Sequence, residues 1–249
     1  MSRPASQVAA TLAQTRMELR LTARRGENVL VTIVIPVVVL LFFASVSVLP
    51  TGDGAPVDFL LPGALALAVI ATSLVNLGIA TAYERSYGVL KRLGGSPLTR
   101  AGLLGSKMGA VLVVEVLQVI LLVTIAWTVL GWRPGATASP IIVVVALLLG
   151  TLAFAGLGLL MAGALRAEAT LALANGLFIA FLLLGGIVLP VSHLPGPLAA
   201  AAAVLPAAAL ADAFRVGLGS GGVAQGPLLI LAAWGLAAVV LAARTFRWE

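Results

Sequence analysis

Cysteine is absent from the 249 residues, which excludes disulfides, thiolate metal sites and cysteine nucleophiles. Histidine occurs once, at His193, too few for a histidine-based metal cluster, and its place in an outer loop suits neither a base nor a ligand. Aspartate and glutamate total nine, and no two share metal-ligand spacing inside an apolar run. The string nearest to a P-loop, Gly105-Ser106-Lys107-Met108, lacks the spacing and the terminal hydroxyl with which such a turn cradles phosphate. These scarcities argue against a self-contained enzyme; no catalytic, metal or nucleotide site is read in the chain. The net charge of +6 is spread along the sequence without an aromatic-interleaved basic groove, so nucleic acid is not expected as a partner.

What is abundant is apolar. Hydrophobic residues make up 61% and charged residues 10%, and the mean hydropathy is +1.15. Soluble domains are about half apolar and about a quarter charged, so this is the composition of an integral membrane protein. Several apolar runs reach the ~20 residues that cross the hydrocarbon as helix. Ten-residue alternating segments of a β-barrel are missing. The expected fold is therefore all-α, with six transmembrane helices near Val29–Leu49, Phe59–Ala82, Ala101–Leu130, Pro140–Leu165, Thr170–Leu189 and Gly226–Ala243. Pro36 is placed to kink the first, whereas Pro62 lies near the start of the second, where proline costs little.

Charge then sets orientation. Thirteen of the 15 Lys and Arg residues fall in segments that alternate topology places on one side, leaving only Arg133 and Arg215 on the other. The positive-inside rule puts that side in the cytoplasm, with both termini. Residues 1–28 hold five arginines and no early apolar core, unlike a cleavable signal peptide. With Val8, Leu12 and Leu19 beside Arg16, Arg20 and Arg24, they suit an amphipathic helix resting on anionic headgroups of the bilayer. Residues 29–249 then form the transmembrane domain. After the fifth span, residues 190–225 are apolar but interrupted by Pro195, Pro197 and Pro206, which fits short re-entrant or interfacial helices on the outer side.

A few polar residues lie inside the spans. Glu115 is the clear acid deep within one, with Gln118 three residues on and in reach of a hydrogen bond. It reads either as a proton-coupling or substrate-path group or as a paired residue joining helices. Ser73 and Asn76 form a strip on the second span, and Asn175 lies early in the fifth; interhelical hydrogen bonding or a substrate path accounts for each. Gly150, Gly156, Gly158 and Gly163 give the fourth span a small face for close packing. Trp127, Trp132, Trp234 and Trp248 lie towards span ends, as interfacial anchors do.

Between the second and third spans runs a polar segment, residues 83–100, containing Glu84, Arg85, Gly88, Leu90, Lys91, Arg92, Leu93, Ser96, Pro97 and Leu98. It is similar to the cytoplasmic motif Glu-Arg-Glu-x-Gly-Thr-Leu, followed by Leu and Ser/Thr-Pro, of type-2 ABC exporter permeases. Ser86 replaces the second glutamate and Val89 the threonine, and Gly94-Gly95 stands where larger residues are common. A second motif follows the fifth span: Gly186, Pro190, Leu194-Pro195, Leu205-Pro206 and Asp212-Ala213-Phe214-Arg215 resemble that family's Gly–Pro–Leu-Pro–Leu-x-Pro pattern with its Asp-x-x-Arg-like end.

The resemblance implies the membrane subunit of an ATP-driven exporter of drugs, antibiotics or lipids in the plasma (inner) membrane. It implies pairing with a second permease copy, as homodimer or with a related paralogue, and a separate ABC nucleotide-binding ATPase subunit that binds ATP and Mg. It makes residues 83–100 a coupling helix, with Glu84 and Arg85 holding its start by ion pairing. Leu90, Leu93 and Leu98 would fill a groove on the ATPase, the glycines would allow turns, and Pro97 would stiffen the return. The central path would be lined by the first, second and fifth spans, including Asn76. Two other classes stay open: a proton-coupled secondary transporter using Glu115, and a membrane scaffold subunit without transport.

Overall fold

In hydrocarbon the backbone can satisfy its N–H and C=O groups only within itself, so apolar runs of this length become helices. The computed structural model describes residues 6–24, 26–45, 55–96 and 98–245. Among them are α1 (Gln7–Arg24), α2 (Gly26–Ser45), α3 (Pro56–Ser86), α4 (Val89–Gly94) and α5 (Arg100–Thr128). There follow α6 (Pro140–Ala164), α7 (Ala167–Leu184), α8 (Gly196–Ala203), α9 (Pro206–Leu218) and α10 (Gln225–Thr245), with no strand among the described residues. Five helices, α3, α5, α6, α7 and α10, are long and apolar enough to span a membrane. α2 supplies an apolar helix where the first span is expected; that span's expected end at Leu49 lies outside the described residues. The chain is an all-α, multi-pass membrane protein.

α3 is the enclosed axis of the bundle: 83% of its apolar stretch lies inside the protein, against 22% for α7 and α10. Proline opens the helix at Pro56, where its missing N–H has no partner to lose. The helix then runs past the expected boundary to Ser86, and over Ile70–Asn76 its ladder widens to a π-helix. Small residues bring neighbours onto this axis. A Cβ on Gly63 would lie 2.4 Å from the Ile187 carbonyl oxygen, and one on Gly158 would lie 2.8 Å from that of Ser73.

The small face of α6 is thus a contact face for three partners. Gly158 meets α3, Gly150 meets Leu210 of α9, and Gly156 meets Ala238 of α10. Because Leu152 likewise meets Gly235, α6 and α10 run parallel, as the fourth and sixth of alternating spans must.

α8 and α9 bend by 73° at a short break, and Pro206 is the first residue of α9. The expectation of short broken helices there, with no straight span through Pro206, matches this geometry. Gly219 ends α9 at φ 93° and lies against Gly135, so close that a Cβ would overlap the backbone. With Gly135 N donating to Leu218 O (3.0 Å) and Ser139 N to Gly217 O (2.8 Å), this fastens α9 to the connection between α5 and α6. Pro56, Gly135, Gly186 and Gly219 thus mark one end of the bundle, the far end. Glu84, Lys107, Gly163 and Ala242 mark the other, the basic end.

Candidate functional site

The polar segment begins inside α3. Tyr83 to Ser86 continue that helix, and Tyr87 N still donates to Tyr83 O at 2.9 Å. Gly88 then turns the chain at φ 70°, with nothing within 4 Å of where a Cβ would be. Conformation alone asks for glycine there, because side chains with a Cβ rarely hold the left-handed region. The turn opens α4, which is only six residues long. Ser96 Oγ donates to Leu93 O at 2.6 Å and accepts from Leu98 N at 3.3 Å; Pro97 lies outside the described residues. Thr99 caps α5, its hydroxyl accepting from Gly102 N at 3.1 Å.

Leu90 is 0% exposed and Leu98 8%, packed with Leu77, Leu103, Leu104, Leu159 and Ala242. This corrects one expectation: neither leucine is available to a groove on another protein, because both close the apolar floor of their own bundle. Leu93 is half-buried against the same floor. The outward face is made instead by Tyr87, 73% exposed, with Val89, Lys91, Arg92 and Ser96.

Glu84 and Arg85 fix this segment to different helices. Glu84 Oε2 accepts from Lys107 Nζ of α5 at 2.6 Å, and the same ammonium lies 3.0 Å from Glu18 Oε1 of α1. Lys107 is 1% exposed and both glutamates 14%, so one cation joins three helices away from water. Among the described residues Arg85 makes no ion pair of the kind expected. Its guanidinium caps the end of α6, donating to Gly163 O at 2.5 Å and to Leu165 O, carbonyls that the ending helix leaves open. The charge count that set orientation includes Lys107 on the cytoplasmic side but gives no sign of its burial. The available signal was the i, i+4 stripe Leu103–Lys107–Val111–Glu115, which puts it on the same inward face as Glu115.

A second polar cluster lies mid-span. Glu115 Oε1 accepts from Ser73 Oγ in the π stretch of α3, and Oε2 lies 2.5 Å from Thr151 Oγ1 of α6. Gln118 does not bond Glu115. Its Oε1 accepts from Thr72 Oγ1 and its Nε2 donates to the Thr32 carbonyl, each at 3.1 Å, because neighbouring helices offer it partners in better reach. Asn76 Nδ2 donates to Thr32 Oγ1 at 2.7 Å. Asn175 does not join them: it is exposed on α7 and donates to Leu171 O of its own helix at 2.9 Å. Thr32, Thr72 and Thr151 escaped the sequence reading because threonine within a span usually bonds its own helix.

A cavity of about 80 Å³ joins the two clusters, lined by Thr22, Thr32, Thr72, Asn76, Glu84 and Lys107 with apolar Leu77, Ala80, Val111 and Val114. It lies between α1, α2, α3 and α5, so the fifth span, α7, takes no part in lining it.

At the far end Arg215 Nη1 donates to Asp212 Oδ1 at 2.6 Å, and Nη2 to the Gly186 carbonyl. Its guanidinium stacks 4.5 Å above Phe59, which ties α9 to the start of α3. Pro190 precedes a 3₁₀ turn that leaves His193 exposed, and Pro195 precedes α8. Trp132 is only 5% exposed, buried rather than anchored at an interface, whereas Trp127 is exposed beneath Arg133 at 5.3 Å.

No curated protein matches the chain. The family model described as ABC-2 type transporter matches residues 9–218, a stretch that takes in most of α1, the polar segment and the bent pair α8–α9. The match covers most of the chain, and the chain is a permease of the ABC-2 type transporter family.

Proposed function

We propose that this permease is the membrane half of an ATP-driven exporter and that α4 receives the push of a separate ABC ATPase subunit, which binds ATP and Mg. In this reading the basic end, with both termini, faces the cytoplasm of a cell bounded by its plasma (inner) membrane. A second permease copy, identical or paralogous, completes the pathway. The observation that carries the reading is mechanical. Tyr87, Val89, Lys91 and Arg92 present an exposed aromatic and basic face, and the residues just before it are fastened to α5, α1 and α6. Force on that face reaches three helices without passing through a flexible loop. Glu84, Arg85, Gly88, Leu90 and Leu93 act as positioning residues beneath the face, and Ser96 as part of its turn.

The mixed lining beside Asn76, hydroxyl and amide on one side and aliphatic on the other, suits a hydrophobic or amphipathic cargo such as a drug, an antibiotic or a lipid. The test is co-expression with an ABC ATPase subunit that co-purifies with the unaltered chain. Lys91→Glu/Arg92→Glu and Tyr87→Ala are expected to lower recovery of the ATPase and to abolish cargo-stimulated hydrolysis, with the permease's own thermal midpoint unchanged. Full recovery and full stimulation with both variants would sink the proposal.

A further inference from the structure

We infer that Glu115 is a neutral carboxylic acid whose proton is a fixed hydrogen-bond donor to Thr151, pinning α5 to α6 while Ser73 pins it to α3. Thr151 Oγ1 lies 2.7 Å from the Leu147 carbonyl, one turn back in its own helix, and 2.5 Å from Glu115 Oε2. A hydroxyl owns one hydrogen and a carbonyl can only accept. If that hydrogen goes to Leu147, the hydrogen between Thr151 and Glu115 comes from the acid; if it goes to Glu115, both hydroxyls donate to an ionised carboxylate. Ser73 Oγ, with no other acceptor among the described residues, gives its own to Oε1. In the first arrangement each oxygen of Glu115 has one partner of the right kind, one acceptor and one donor.

The ionised alternative leaves a carboxylate at 0% exposure held by two hydroxyls and, among the described residues, no cation. The nearest basic residue on its helix, Lys107, is two turns away, about 12 Å by helical rise, and is already held by Glu18 and Glu84. α6 carries no charged residue. The charges of α3, at Asp58, Glu84 and Arg85, lie towards its two ends. From α2 and α5 the cluster receives Thr32 and Gln118, both neutral. A lone anion at such depth costs several kcal/mol, and keeping the proton removes that cost. Glu115 is on this account a cross-brace at the π stretch, and its proton stays in place while the helices work.

The test uses the purified full-length permease alone, so its outcome is independent of the proposed ATPase. Glu115→Gln keeps one acceptor and supplies an amide donor in place of the acid proton. It is expected to melt with the unaltered protein, whereas Glu115→Ala falls by about 5 °C or more. Isotope-edited infrared spectra are expected to show a protonated carboxyl C=O band that disappears in Glu115→Gln, with no carboxylate band lost alongside it. A carboxylate band assigned to Glu115, or a Glu115→Gln protein as unstable as Glu115→Ala, would overturn the inference.

Discussion

Lys107 puts one ammonium between two carboxylates of different helices, and its removal leaves Glu84 and Glu18 facing each other with little water to separate them. Breaking a buried pair by deleting one partner costs on the order of 3–5 kcal/mol, whereas replacing both partners by apolar groups of similar volume is often close to neutral. Lys107→Met is therefore expected to lower the thermal midpoint of the detergent-solubilised permease sharply. Lys107→Met/Glu84→Met should recover a good part of the loss. If the single and double variants melt alike, the triad is not what holds α1 and α3 to α5. At this scale the sequence was a partial guide. Glu84 and Arg85 were legible as anchors from their place after a span, but their partners are a buried lysine and two carbonyls, which only the tertiary fold supplies. The spacing of Glu115 and Gln118 suggested a bond that cross-helix partners outcompete, since both side chains point from α5 towards different neighbours.

The spans themselves were readable because hydrocarbon thickness leaves a long apolar run few alternatives to helix. Their ends were less so: α3 runs on through Ser86, since Glu84 and Arg85 find partners at the membrane boundary and need no loop to reach water. The small face of α6 was legible as a packing face, though not its division among α3, α9 and α10. Gly158 offers a sharp check. A methyl group there would lie within 3 Å of two carbonyl oxygens of α3, Ser73 and Leu74, and overpacking of this kind costs about 1–3 kcal/mol. Gly158→Ala is expected to destabilise the permease by that amount. Gly176→Ala, on the open face of α7 with nothing near its Cβ position, should melt like the unaltered protein. Equal midpoints for the two would mean that α3 and α6 do not pack as closely as their glycines indicate. The π stretch was invisible in the sequence, because Ile70–Asn76 is as apolar as an ordinary helical turn and differs only in whom its hydroxyls meet.

For the molecule as a whole, the two ends differ in chemistry as well as charge: one holds the Lys107 triad and α4, the other the bent pair and Arg215. The absence of cysteine makes the proposed orientation simple to check, because a single introduced thiol has no background. Ser86 and Ser220 are exposed at opposite ends. Ser220→Cys is expected to react with a membrane-impermeant maleimide in intact cells, and Ser86→Cys only after permeabilisation; the reverse pattern would invert the proposed topology. Between those ends, the π stretch of α3 holds one residue more than an α-helical ladder of the same span accommodates. The half of α3 that bears Glu84 and Arg85 therefore keeps the phase of a helix one residue shorter. Were the surplus taken up into regular α-helix, that half would turn by about 100° and advance about 1.5 Å along the axis. The turn would withdraw Glu84 from Lys107 and Arg85 from Gly163 in one movement. The second span is in this sense a screw with its thread interrupted beside Ser73, and the rotation it stores is aimed at the segment where a partner would push.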